Sequence, residues 1–383
     1  MIYFDNAATG GRKPDCVLSA TTAALKVCAN PGRSGHKLAL SLGKIVRNCR
    51  RVLNDFFDGY DDERVIFTKN CTEALNIALF GVLKPGDHVV VSAMEHNSVL
   101  RPLERLKALG VIEYDVCPLQ GEVDNRNVTP ESICKLIKPN TRLVAVTTAS
   151  NVSGAMPPLF AIRRAIPSNV LLLCDGAQGA GHIPIHMQKM GIDILTLAGH
   201  KGLMGIQGSG ALLFSERVEL SPLLYGGTGS MSVSLEMPDF YPDALEAGTL
   251  SSPAIVSLLE GVQFLKMRLD KIAQRLTALT AYLLQGLKKL PKYTPLSLPN
   301  PCGIVAFYHQ DVQAEYIASV LSSTFDIAVR GGLHCAPLMH QALGTGENGA
   351  VRVSFSHFNS QAEVDVLLDA LSRLQSVNYL NEP

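Results

Sequence analysis

Between residues 64 and 214, short apolar runs alternate with segments of helical spacing, and this alternation narrows the possible folds more than any other feature of the chain. The runs are RVIFT (64–68), HVVVS (88–92), IEYDV (112–116), LVAVTT (143–148), VLLLC (170–174), ILTLA (194–198) and GALLF (210–214). Several are apolar at successive positions, as strands buried on both faces of a sheet are. Between them, TEALNIALFGVL and NSVLRPLERLKAL carry apolar residues three and four apart. Strand, helix, strand in sequence predicts an α/β architecture, a mostly parallel seven-stranded sheet covered by helices.

The pattern changes near residue 255. Leu258, Val262, Leu265, Leu269, Ile272, Leu276, Leu279 and Leu283 step by alternating four and three, which predicts one apolar stripe on one long helix. A smaller α+β region follows, with GIVAFYH, VQAEYIASVLSS, DIAVRGG, AVRVSFSH and a closing amphipathic helix QAEVDVLLDALSRL. The expected division is a large domain at 16–255 and a small one at 256–383 that also takes residues 1–15.

Composition excludes several classes. Lys+Arg and Asp+Glu are equal at 34 each, so no net field draws nucleic acid or an anionic membrane surface. No apolar run approaches the ~20 residues that span a bilayer. MIYFDNAATGG lacks a basic stretch followed by an apolar one, so it does not read as a secretory signal, and a cytoplasmic protein is expected. The nine cysteines form no C-x-x-C pair, which argues against a disulfide framework and against a metal site of the structural zinc kind.

In open parallel sheets ligands bind beyond the carboxyl ends of the strands. Read in order, those ends carry Asn70, Cys71 and Thr72 opening a helix; His96; Asn151 before a turn glycine; Asp175 and Gln178; and His200 and Lys201 between glycines. Taken singly, Thr72 is as well a helix cap and Asn151 a turn residue. Together they suit one ligand. A lysine forms a Schiff base with an aldehyde cofactor, an aspartate holds a pyridinium nitrogen positive, and donors at a helix start hold a phosphate. The expected cofactor is pyridoxal 5′-phosphate (PLP).

At these residues the chain resembles the class V aminotransferase family, and within it the cysteine desulfurases and selenocysteine lyases of the short-loop type. The motifs run nearly end to end: YFDNAAT, NPGRSGHKLA, FTKNCTEALN, MEHNSVL, SNVSG, DGAQ, GHKG, EAGTLS, RGGLHCA and VRVSFSHFNS. The resemblance implies a PLP-dependent transferase fold of the aspartate aminotransferase type. It makes Lys201 the Schiff-base lysine and the base at the substrate Cα, Asp175 the partner of the ring nitrogen, and His96 the residue stacked on the ring. Asn151 and Gln178 would bond near the phenolic oxygen. Cys71, Thr72 and His200 would help hold the phosphate, and Thr249 would reach the phosphate of the partner subunit in a homodimer. Arg352 would clamp the substrate carboxylate, with Asn6 and Arg330 beside it in the substrate pocket. Cys335 would attack the sulfur of L-cysteine, leaving alanine and a persulfide for a sulfur-acceptor protein that supplies iron–sulfur clusters or other thio-cofactors. Arg330 and His334 would lower its pKa, and Gly331 and Gly332 would let its loop move.

Three positions depart from the family pattern. Ala198 stands where a hydroxyl residue usually contacts phosphate, Cys71 where a small hydroxyl residue is common, and Leu333 where a second histidine often sits beside the nucleophile. One lost hydrogen bond to a charged group costs ~1.5–3 kcal/mol, so weaker cofactor binding is expected rather than none. The competing readings are a selenocysteine lyase, a class V aminotransferase acting on a small amino acid, and a catalytically silent PLP-binding regulator.

Overall fold

The computed structural model describes residues 1–27, 29–31 and 34–376, so Cys28, Gly32 and Arg33 of the motifs and spans above lie outside the described residues, as do 377–383. The chain begins with β1 (Ile2–Tyr3), α1 (Asp15–Leu25) and α2 (Lys37–Phe56). The large sheet follows, built from β2 (Val65–Thr68), β3 (Asp87–Ser92), β4 (Ile112–Cys117), β5 (Thr141–Thr147), β6 (Leu171–Asp175), β7 (Ile194–Ala198) and β8 (Gly210–Phe214). Its connections include α3 (Cys71–Val82), α4 (Asn97–Ala108), α5 (Pro130–Cys134), α6 (Leu159–Ala165) and α7 (Met187–Met190). All seven strands overlap the apolar runs of the sequence.

The strand order is β2-β8-β7-β6-β5-β3-β4, and β8 alone runs against its neighbours. Successive side chains of a strand point to opposite faces, so the continuous apolar runs feed two cores at once. In β6, Leu172 and Cys174 join a core with Ile255 and Leu258, whereas Leu171 and Leu173 join another with Leu75 and Leu103. The strand β4 at one edge is less covered, with Glu113 exposed.

The predicted single long helix is instead two, α8 (Ser252–Lys266) and α9 (Leu269–Leu287). Met267 and Arg268 leave helical geometry, at φ −102°, ψ 3° and φ −130°, ψ −8°. The break lets α8 pack on α1 and α2 while α9 packs on α12 (Gln361–Ser376) and the small sheet. Both halves keep the same apolar spacing, so periodicity carries no mark of the bend.

The remaining elements are β9 (Tyr293–Pro295), β10 (Ile304–His309), α10 (Ala314–Phe325), β11 (Ile327–Ala328), β12 (Arg330–Gly332), α11 (Pro337–Leu343) and β13 (Ala350–Ser354). Strands β12-β13-β10-β9 form an antiparallel sheet. β1 pairs in parallel with β11, and Asp5 bridges to Ser354, which seats the first residues among the last third of the chain. Among the described residues no helix is long and apolar enough to cross a membrane.

Candidate active site

The carboxyl ends of the large sheet converge on one cleft of about 500 Å³, its open mouth included. Cys71, Thr72, His96, Asn151, Asp175, Gln178, Ala198, His200 and Lys201 all line it. A larger cavity lies elsewhere, beside the buried Arg50–Glu246 pair, and no lysine lines it.

Helix α3 starts at this cleft because Asn70 caps it, its Oδ1 accepting from the Glu73 N–H at 2.9 Å. That leaves the N–H groups of Cys71 and Thr72 outside the helical ladder, a ready site for an anion. Thr72 Oγ1 is 2.9 Å from Ser98 Oγ, which is 2.7 Å from His96 Nδ1. His96 is itself the cap of α4, its Nδ1 accepting from the Ser98 N–H at 3.0 Å. An accepting Nδ1 puts the proton of the neutral ring on Nε2. Burial pushes the His96 pKa down to about 4, against the opposing pull of Asp175, so the ring is neutral. It is a flat group held at a fixed angle beside Asp175 and Lys201.

Asp175 ends β6 and is 3% exposed. Its Oδ1 accepts from the Ala177 N–H at 2.8 Å and lies 3.3 Å from Cys71 Sγ. The same thiol is 3.3 Å from Thr196 Oγ1. Burial, reinforced by Asp175, holds the Cys71 pKa well above the ordinary thiol value, so the group is a neutral S–H donor. Its side chain is thus turned to the aspartate, and only its backbone N–H belongs to the anion site at the start of α3.

Lys201 follows β7 in a turn that has no room for a side chain at the position after it. A Cβ on Gly202 would sit 2.3 Å from the Ala180 carbonyl oxygen. Burial lowers the Lys201 pKa and Asp175 opposes that shift. Among the described residues its amine has no hydrogen-bond or ion-pair partner. His200 turns its ring toward the N-terminal segment, with Nδ1 3.0 Å from Thr9 Oγ1, and burial takes its pKa down to about 4. Gln178 Nε2 donates to the Ala7 carbonyl at 3.0 Å, a second tie to the same segment.

Cys335 stands at the rim, half-buried, between β12 and α11. Two hydrogen bonds dock its loop onto the cleft. The Asn97 N–H donates to the Cys335 carbonyl at 2.7 Å, one residue from His96, and Asn151 Nδ2 donates to the His334 carbonyl at 2.7 Å. His334 is 3% exposed, and burial with the nearby Arg352 holds its pKa well below the usual imidazole range. A neutral His334 brings no cation to the thiol, so the expected help from its charge is absent.

Arg352, on β13, is 1% exposed. Nη2 donates to Asp5 Oδ1 at 2.8 Å and Nη1 to the Asn151 carbonyl at 2.9 Å, while Nε has no partner. Arg330 is its register neighbour across β12 and β13. Asn6 faces a smaller cleft that shares Gln178 and Lys201 with the first, and its Nδ2 donates to the Ser354 carbonyl at 2.9 Å. Thr249 is not brought to the cleft. It is exposed, 3.4 Å from Asn30 Nδ2, and lines a separate cavity near Lys69 and Gly210.

Four residues of consequence were not assigned from sequence: Asp5, Glu95, Asn97 and His340. Asp5 and Glu95 lie inside recognisable motifs, YFDNAAT and MEHNSVL, and a carboxylate next to buried Phe4 or Met94 was a usable signal. Asn97 acts through its backbone, which side-chain chemistry does not announce.

The family model described as aminotransferase class-V matches residues 2–367. A probable cysteine desulfurase of Pyrococcus abyssi is 31% identical over 98% of this chain and 94% of its own, and a cysteine desulfurase of Salmonella agona is 30% identical over 98% and 93%. Among solved structures, the apo cysteine desulfurase of Thermococcus onnurineus superposes with a TM-score of 0.87 at 29% identity, covering 97% of this chain and 94% of that one. The cysteine desulfurase CsdA of Escherichia coli, solved as its S-sulfonic acid form, gives 0.86 at 28%, with the same coverage. With its motifs at the strand ends of one shared cleft and a match from residue 2 to residue 367, the chain belongs to the class V aminotransferase family.

Proposed function

We propose that this protein is a PLP-dependent cysteine desulfurase that converts L-cysteine to L-alanine and takes the sulfur onto Cys335 as a persulfide. The observation that carries the reading is the docking of the Cys335 loop, through Asn97 and Asn151, onto the same cleft that holds Lys201 and Asp175. An aminotransferase has no use for a cysteine whose backbone is tied to that place.

The residues present fit the cofactor. An unpartnered lysine amine, a buried carboxylate, a neutral histidine ring and free N–H groups at the start of α3 are the donor set that an aldehyde, a pyridine nitrogen, an aromatic face and a phosphate require. When bound, PLP supplies an electron sink next to the substrate Cα. The chain's own groups do the rest. Lys201, its pKa lowered by burial, holds and returns the Cα proton. Arg352 orients the substrate carboxylate with the hydrogens that Asp5 and Asn151 leave open. The Cys335 thiolate attacks the substrate sulfur: an S–S bond forms as the Cβ–S bond breaks, and the carbon fragment takes up a proton to leave as alanine.

In this reading residues 16–255 carry the cofactor, and 256–383 with 1–15 carry the sulfur-transfer loop. The protein works in the cytoplasm as a homodimer, Thr249 serves the partner subunit's phosphate site, and an acceptor protein removes the sulfur for iron–sulfur clusters or other thio-cofactors. The deciding experiment follows alanine and reductant-released sulfide from L-cysteine, for wild type and Cys335→Ala. Equal yields from wild type and neither product from the variant support the reading. Full activity in the variant overturns it, and L-selenocysteine in parallel tests for the lyase.

A further inference from the structure

His334 and Cys335 are consecutive residues in the left-handed region, at φ +50° and +56°, and neither is glycine. Such a turn persists only where its surroundings hold it. The Asn97 and Asn151 bonds hold its two carbonyls. A third support lies behind it and belongs to no step described so far. His340, one turn along α11 and 1% exposed, meets His334 edge to edge, with ring centroids 5.5 Å apart, planes 20° from parallel and the facing nitrogens 3.3 Å apart.

The protons of this pair are set from one end. His334 Nε2 lies 3.3 Å from the Arg330 carbonyl, which only accepts, so Nε2 carries the proton and Nδ1 is the acceptor. Nδ1 lies 3.3 Å from His340 Nε2, which therefore donates. His340 Nδ1 then accepts from the Thr345 hydroxyl at 2.8 Å. Every link has one polarity, and each ring is neutral.

On the desulfurase reading above, we propose that His340 is a positioning residue for sulfur transfer: through its N–H to His334 and with Thr345 behind it, it holds the left-handed turn that presents the Cys335 thiol. It touches neither substrate nor cofactor. Because it acts only through the turn, its loss is expected to slow the attack step rather than weaken binding of L-cysteine.

The test compares wild type with His340→Phe, which keeps an aromatic ring without the N–H, and His340→Gln, whose amide restores a donor near Nε2. Cofactor-loaded protein is mixed with L-cysteine in a single turnover. The spectral change on binding gives affinity, and mass spectrometry of Cys335 gives the persulfide rate. Amide hydrogen exchange without substrate reports the turn directly, at Asn97 and at Ala336, whose N–H donates to the Leu333 carbonyl at 2.9 Å. The expected result for Phe is persulfide formation slower by ~10-fold or more with L-cysteine affinity within about twofold, because misplacing a reacting atom costs rate first. Exchange at Asn97 and Ala336 rises while that of β5 and β6 stays put, and Gln restores most of both. Wild-type kinetics in Phe, or Gln as slow as Phe, overturns the proposal, as does a uniform loss of protection that includes β5 and β6. Thr345→Val removes only the far link and is expected to move the same readouts in the same direction; a wild-type result there also counts against the relay. If wild type itself forms no persulfide, the desulfurase reading fails, and the exchange data still decide whether His340 holds the turn.

Discussion

Asp5 and Arg352 are 347 positions apart and form one part-buried ion pair, Oδ1 to Nη2 at 2.8 Å. The pair ties the N-terminal segment to β13 and aims a guanidinium that is also held by the Asn151 carbonyl. Its role as the carboxylate clamp predicts the behaviour of Arg352→Lys. An ammonium keeps the charge but loses the fork. At ~1.5–3 kcal/mol for a lost charge-assisted hydrogen bond, KM for L-cysteine rises by roughly 10- to 150-fold, with a smaller change in kcat. Initial rates of alanine formation measure both, and an unchanged KM would remove Arg352 from the substrate site.

Cys71 gives a prediction about cofactor affinity. Its thiol and the Ala177 N–H are the two donors on Asp175 Oδ1. Cys71→Ala removes one of them, and a net ~0.5–1.5 kcal/mol per hydrogen bond corresponds to PLP binding weaker by roughly 2- to 12-fold. Cys71→Ser keeps a donor and stays near wild type. Titrating apoprotein with PLP by absorbance separates the two. Equal affinities for Ala and wild type would mean that the thiol does nothing for Asp175.

Glu95 predicts a pH dependence of stability. It is fully buried, and its Oε1 accepts from the Thr147 N–H at 2.8 Å and from the Ser92 hydroxyl, while Oε2 has no partner. Burial pushes its pKa up from 4.5 to about 8, with Asp175 adding to the shift and the Ser92 and Thr147 bonds opposing it. The folded state therefore holds a proton that the unfolded chain releases above 4.5. Its contribution is full below pH 4.5 and is lost as pH rises to about 8, by up to roughly tenfold in the folding equilibrium per pH unit. Urea unfolding of wild type between pH 5 and 8 should show this decline, and Glu95→Gln should flatten it. Parallel slopes for the two proteins would assign the decline to other groups.

Thr249 tests the shared site. It is exposed and remote from its own chain's cleft, and the stretch before it leaves Tyr225, Val233 and Leu235 open to solvent, the last two completely. Sedimentation is expected to find a species of two chains. In that species Thr249→Val weakens PLP binding by roughly 10- to 150-fold, the cost of one hydrogen bond to a charged group. A monomer that binds PLP with the same affinity whichever residue stands at 249 would end the shared-site proposal.

Much of this protein is set by patterns a few residues long. The run VLLLC is apolar at every position because β6 is covered on both faces, and that signal survives without any partner in view. Polar residues that interrupt such runs, Asp175 and Lys201 among them, are legible for the same reason: chemistry at a strand end is a local event. What local pattern cannot carry is direction and distance between remote parts. The bend at Met267 and Arg268 leaves the apolar stripe intact, so only packing against different neighbours reveals it. Asp5 reaches Arg352, Asn97 reaches Cys335 and the Cys71 thiol reaches Asp175 across gaps of 104 to 347 residues that close only when sheet order and register are in place. Sequence alone determined which chemical groups this protein brings to its strand ends; tertiary structure decided which of them touch, because hydrogen bonds act over about 3 Å and only the packed chain sets separations that small.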